Sequence, residues 1–227
     1  MDTGRQAYPT GKNGEPRTLE EQTTDGARKF SPSVGRNRDV VREALLDNLP
    51  ASAEILEIGS GTGEHGIYVT EAAAEMQWTF TDHSQDALQG ISAWIEYAAR
   101  ENLSGPYQLD VSEPDWGADV EGKQYDAIFS ANVVHISPFS VTRGLFTGAK
   151  RLLKPDGQLV FYGPFSRNGK MASSNRRFDA DLKKRDPEWG IRDIENELNI
   201  LAQVNGLKLR LAAGMPANNL MLFFSRA

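Results

Sequence analysis

A chain of 227 residues with a net charge of −6 and no cysteine is long enough to bury one substantial core. It holds no disulfide, thiol nucleophile or cysteine metal site, and its charge gives no general attraction to nucleic acid or to an anionic membrane. No segment approaches the roughly 20 apolar residues of a membrane helix, and the polar N-terminus lacks the apolar centre of a signal peptide. A cytoplasmic protein with neither nucleic acid nor membrane as partner is expected.

Residues 1–28 are polar, punctuated by Gly4, Pro9, Gly11, Gly14 and Pro16, and read as a flexible N-terminal arm that either closes over a site or trails as a tail. A single domain is expected over 29–227. Val34, Val40, Val41, Ala44, Leu45 and Leu49 recur at helical spacing until Pro50. EILEIG (54–59) reads as a short buried strand running into glycines, 64–76 as a helix and WTFTD (78–82) as a strand. Residues 85–102 form a long helix with Leu88, Ile91, Ile95 and Ala98 on one face. YQLDV (107–111) and YDAIFSAN (125–132) give two more strands, and 139–153 a helix. Lys154, Pro155, Asp156 and Gly157 signal a turn before the strand QLVFYG (158–163). The polar stretch 164–188 is too long for an ordinary connection and is expected to be a functional insertion. A helix at about 190–204 precedes the strands LKLRLAAG (207–214) and LMLFFSRA (220–227), joined by MPANN.

Alternating strands and helices predict an α/β fold with a parallel sheet clothed on both faces. The last two strands are joined too tightly for a parallel crossover, so they must run antiparallel. A mostly parallel seven-stranded sheet ending in an antiparallel hairpin strand resembles the Rossmann-like class I methyltransferases.

The strongest chemical signal is Glu57-Ile58-Gly59-Ser60-Gly61-Thr62-Gly63. Glycines after a first strand permit a sharp turn and let a ligand lie against the main chain, where the next helix presents its amides. Dinucleotide enzymes need G-x-G-x-x-G, and Glu64 stands where the last glycine belongs. The spacing present resembles instead the first motif of methyltransferases that use S-adenosyl-L-methionine. Asp82 ends the second strand, where a carboxylate can accept both ribose hydroxyls, with His83 and Ser84 beside it. Asp110 is placed to accept an adenine amine, with Val111 supplying an amide. Each acid has a second reading as a cap of the following helix, but all three features fall at the carboxyl ends of adjacent strands, where open α/β sheets bind ligands. His65 is expected to pack near the glycine loop or the donor's amino acid end, and Arg36 or Asn37 can bind its carboxylate or simply start a solvated helix.

A closer resemblance runs through SPSVGRNRDVV (31–41), LEIGSGTGEHG (56–66), SANVVHISPF (130–139), GLF (144–146), LLKPDGQLVFYGPF (152–165), FDADLKKRDPEWGIRD (178–193) and MPANNL (215–220). These blocks resemble the DUF938 methyltransferases, a family that includes the methyltransferase-like protein 26 group. Val133 and Val134 stand where Met and another apolar residue are expected. The resemblance implies the fold and S-adenosyl-L-methionine as donor; it leaves the acceptor open.

In-line methyl transfer asks the protein mainly to align the nucleophile, the methyl carbon and the sulfur. Asn132 and His135 follow the fourth strand at the edge of the donor site. A His there acts as base or orients the acceptor; its other reading is a helix cap near Pro138. Tyr162, Phe165, Asn175, Phe178, Trp189, Arg192 and Asn218 are expected to wall the acceptor pocket or to serve as plain core. Three scattered histidines point to no metal. A small-molecule acceptor, methylated at O, N or S, is the leading expectation. The alternatives are a protein or RNA methyltransferase, a non-catalytic S-adenosyl-L-methionine-binding protein, and an NAD enzyme. The sequence carries no signal for oligomeric state.

Overall fold

Short apolar strands alternating with amphipathic helices build a seven-stranded sheet across residues 20–227, the part of the chain that the computed structural model describes. A two-stranded hairpin comes first, Thr23–Asp25 (β1) with Arg28–Phe30 (β2). Then follow Pro32–Asn48 (α1), Glu54–Ile58 (β3), Glu64–Ala72 (α2), Gln77–Asp82 (β4) and Gln85–Ala98 (α3). Leu103–Gln108 (β5), Ala118–Glu121 (α4), Tyr125–Ala131 (β6), Phe139–Leu152 (α5) and Leu153–Gly163 (β7) continue the chain. Ser173–Arg185 (α6), Asn199–Val204 (α7), Leu207–Met215 (β8) and Asn219–Arg226 (β9) complete it. The sheet order is β5-β4-β3-β6-β7-β9-β8, and β9 runs antiparallel to both its neighbours.

Strand alternation sorts the core onto two faces. Leu56, Ile58, Ile128, Phe161 and Phe224 pack with Leu145 and Phe146 of α5 and with Ala202 of α7. Ile55, Trp78, Phe80, Phe129 and Phe223 meet Val41 and Leu45 of α1, Ile67 of α2 and Ile91 of α3. Each such large side chain contributes about 1.5–3 kcal/mol on leaving water. Among the described residues, no helix is long and apolar enough to cross a membrane.

The structure departs from the expected elements in five places. The flexible arm at 1–28 falls outside the described residues up to residue 19, and its end is built as β1 and the start of β2, where Arg28 lies over the Tyr97 ring and Phe30 meets Trp94 edge-on. β5 begins at Leu103 rather than Tyr107 and takes in Gly105 and Pro106; among the described residues this strand is a sheet edge paired with β4 alone, and an edge tolerates proline. The turn at 154–157 lies within β7 as an excursion, since Leu153 pairs with Tyr125 and Gln158 with Ala127. The insertion at 164–188 contains α6. That helix is polar because only Asn175 and Leu182 are buried, and its Asp179–Lys183 and Asp181–Lys184 pairs support it at helical spacing. The helix expected at 190–204 starts as a π-turn at Ile194–Leu198, capped by Asp193.

Ser84 caps α3 by accepting from the Ala87 amide. Ser84→Ala is expected to cost about 1 kcal/mol, a fall of about 2–4 °C in melting temperature; an unchanged thermal transition refutes the cap.

Candidate functional site

A cavity of about 1280 Å³ opens over the carboxyl ends of β3, β4 and β6. Its floor is the loop after β3. Gly59 has φ +68, and a Cβ there would stand 2.5 Å from a Val133 methyl; Gly61 has φ +58 and open space where a Cβ would go. Only glycine meets both demands without strain. The loop is tied down by the Ser60 amide on the Thr81 carbonyl and the Gly61 amide on Asp82 Oδ2, each at 2.9 Å.

Asp82, at the end of β4, also accepts from the Ser84 amide at 2.9 Å. Burial pushes its carboxyl upward, while the amides of Ser84 and Gly61 and the nearby His83 pull it back. His83 and Ser84 line the cavity beside it. From α1, Arg36 and Asn37 reach the same space, Arg36 pairing with Glu20. Among the described residues, no three His, Asp or Glu side chains gather as a metal-binding group.

Beneath the floor runs a buried polar chain. The Glu57 carboxylate accepts from Trp78 Nε1 at 3.1 Å and lies 3.9 Å from His65 Nδ1. His65 Nε2 meets Asn37 Oδ1 at 2.9 Å. Asn37 and Asn219 both bond the Tyr162 hydroxyl. Burial drives the Glu57 carboxyl up to about 8 against hydrogen bonds from Ser60 and Trp78, and holds His65 down to about 4. Both side chains are therefore neutral at pH 7, which is how a chain of buried groups avoids uncompensated charge.

The far part of the cavity is mainly apolar, with Ile136, Val141, Pro164, Phe178, Leu182 and Trp189 lining it alongside Asp181 and Arg185 of α6. His135 stands there 1% exposed, and among the described residues neither imidazole nitrogen has a hydrogen-bond partner. Its ring meets Phe165 edge-on at 4.9 Å, and its carbonyl accepts from the Gly190 amide. Gly163 makes the ring's room, since a Cβ there would stand 2.4 Å from His135 Nε2. Burial, and then the charge of Arg192, lowers His135 to about 3. The ring is neutral, as expected of a base, but far too weak to take a proton readily near neutral pH.

The structure thus brings Arg36, Asn37, Gly59, Ser60, Gly61, His65, Asp82, His83, Ser84, Val111, Asn132, His135, Tyr162, Asn175, Phe178 and Trp189 to one cavity. Six expected residues stand outside it. Glu57 points down between β3 and Trp78, and Gly63, at φ +80, starts α2 against Ile91. The Asp110 carboxylate accepts from the Ser112 amide and hydroxyl. Leu109 and Val111, its neighbours in the connection after β5, line the cavity instead. Phe165 backs His135, Arg192 binds main-chain carbonyls, and exposed Asn218 donates to Ser174. Sequence reasoning missed Ser31, Val34, Ser137, Leu182, Arg185 and Ala217 as lining; only Leu182, an apolar residue in a polar helix, carried a signal.

The family described as "Protein of unknown function (DUF938)" matches residues 28–226. The highly reducing polyketide synthase aurA of Calcarisporium arbuscula is 32% identical over 110 residues, covering 47% of this chain and 4% of that protein. Polyketide synthase PksM of Bacillus subtilis (strain 168) is 33% identical over 124 residues, 52% of this chain and 3% of that protein. The chain therefore spans a small segment of these curated relatives. Among solved structures, the S-adenosylmethionine-dependent methyltransferase SibL matches with a TM-score of 0.69 at 14% identity, over 86% of this chain and 55% of that one. The mitomycin 7-O-methyltransferase MmcR gives 0.67 at 16%, over 83% and 54%. Human N-acetylserotonin methyltransferase in complex with SAM gives 0.68 at 12%, over 86% and 53%. The likeness at these identities is one of fold.

Proposed function

The chain belongs to the DUF938 family, and from that membership, its methyltransferase fold and the lining of its cavity we propose that it is an S-adenosyl-L-methionine-dependent methyltransferase acting on a small-molecule acceptor. One observation carries the reading: a glycine floor and the Asp82 carboxylate share a single cavity with a buried histidine that has no hydrogen-bond partner. At about 1280 Å³ the cavity exceeds the ~300–1,000 Å³ of an ordinary one-ligand pocket, enough for donor and acceptor together.

The residues present fit the donor. Gly61 leaves main chain uncovered for a flat ligand, and Asp82 offers carboxylate oxygens to paired hydroxyls. Leu109 and Val111 give an apolar slot for a base, and Asn37 and Arg36 stand ready for the amino acid end. When bound, S-adenosyl-L-methionine supplies a methyl carbon activated by its sulfonium. The protein's own part is alignment and exclusion of water: the apolar far wall keeps the acceptor dry, and His135 and Asn132 orient it toward the donor end. Glu57, neutral beneath the floor, supports the loop rather than balancing the sulfonium's charge.

Calorimetric titration with S-adenosyl-L-methionine, S-adenosylhomocysteine and NAD tests this. The two adenosyl sulfur compounds are expected to bind and NAD not to; preference for NAD overturns the reading.

A further inference from the structure

His135 poses a chemical problem that the proposed transfer alone does not answer. A neutral imidazole carries one N–H and one lone pair, and here both nitrogens are buried with no hydrogen-bond partner among the described residues. A buried donor left unmade costs about 1–3 kcal/mol, so the ring is built for something that arrives in the cavity. Arg192 stands directly behind. Its Nε donates to the Val134 carbonyl at 2.8 Å and an Nη to the Ser137 carbonyl at 2.6 Å, bracketing His135 along the chain. It is 7% exposed, and among the described residues no ion pair joins it to a carboxylate. Asp179 and Glu197 act on it from farther away. Asp179 is occupied by Lys183 and by the Ile191 amide, and Glu197 accepts from the Asp193 amide. A positive charge therefore lies behind the histidine, and Asp181, a carboxylate on the lining of the same cavity, is already paired with Lys184.

That arrangement disfavours protonating the histidine and favours an anion facing it. We propose that the acceptor is an apolar aromatic hydroxyl compound of the phenol class, methylated as its oxyanion, with His135 donating a hydrogen bond to that oxygen and Arg192 as the positioning residue that supplies positive potential. The inference rests on the methyltransferase reading. The phenol's proton leaves to water on binding. The oxyanion's lone pair then forms the bond to the methyl carbon, and the pair of the broken carbon–sulfur bond stays on sulfur, giving a neutral ether and a neutral thioether. Ile136, Val141, Phe178 and Trp189 suit a flat apolar body, and the two charged lining residues of α6, Asp181 and Arg185, are of opposite sign and add no net charge. His135 accordingly holds the nucleophile rather than deprotonating it.

The test uses 4-nitrophenol, whose anion is coloured, titrated spectrophotometrically in the presence of saturating S-adenosylhomocysteine. The bound phenol is expected to ionise about one pH unit or more below the free one, a tenfold or greater shift toward anion. His135→Gln, which keeps a donor, and Arg192→Lys, which keeps the charge, should retain the shift. His135→Leu and Arg192→Met should abolish it, with circular dichroism checking that each is folded. If Arg192→Met does not fold, the wild-type titration decides by itself. A bound phenol that ionises as in water, absence of bound phenol, or tighter binding of 4-nitrobenzoate overturns the phenol assignment. Failure of S-adenosylhomocysteine to bind at all refutes the methyltransferase reading instead, so the two failures are distinguishable.

Discussion

Glu57→Gln is expected to flatten the decline of stability with rising pH and to raise the melting temperature at pH 9. The native carboxyl is held near 8, against an ordinary 4.5, chiefly by burial, with Ser60 and Trp78 hydrogen bonds opposing and Asp82 adding repulsion. Between those two values the folded protein keeps a proton that the unfolded chain has released. The native state then binds more protons, so stability falls as pH climbs through that window and levels off above about 8. The upper bound of the loss is about 5 kcal/mol. Glutamine has no proton to lose, and its amide can still accept from Trp78 Nε1 and donate toward Ser60. Thermal melts of both proteins at pH 5 and pH 9 give the answer: near-equal stability at pH 5 and a clear gain for the variant at pH 9. Parallel profiles would refute a protonated Glu57. On the acid side the histidines act oppositely, since His65 and His135 refuse protons that the unfolded chain takes up below about 6.5.

Asp82→Ala is expected to weaken S-adenosylhomocysteine binding about ten- to a hundredfold, on the order of 1–3 kcal/mol. Two effects combine. The carboxylate no longer meets the ligand's hydroxyls, and the Gly61 and Ser84 amides lose the acceptor that joins the glycine floor to the start of α3. Asp82→Asn retains one carbonyl oxygen and should fall between. Calorimetry on the folded variants measures this, and an unchanged dissociation constant would remove Asp82 from the donor site.

The succession of strands along the chain and the glycine loop were legible because both rest on local rules. Alternation of apolar residues sets a strand's faces, and the tight MPANN connection forces β8 and β9 antiparallel. The carboxyl ends of β3 and β4 then had to lie together, which brought Gly59, Gly61 and Asp82 to one cavity. Asp110 shows where local reasoning stops. It was expected to close a strand, but β5 stops at Gln108, and in the connection that follows Leu109 and Val111 line the cavity while the Asp110 carboxylate accepts from Ser112. Polar composition hid α6 within the expected insertion, because a helix touching the core at few points needs few apolar residues.

By itself, then, the amino-acid sequence determined the layered α/β fold, the antiparallel last strand and the position of the glycine floor, since each follows from spacing within a few residues. Only the tertiary structure decided which acids face the cavity and which sit neutral beneath it, and that His135 has no partner while Arg192 stands behind it. Burial and the company of distant side chains set protonation and hydrogen bonding, and residues 57, 135 and 192 acquire those neighbours only when the sheet is assembled.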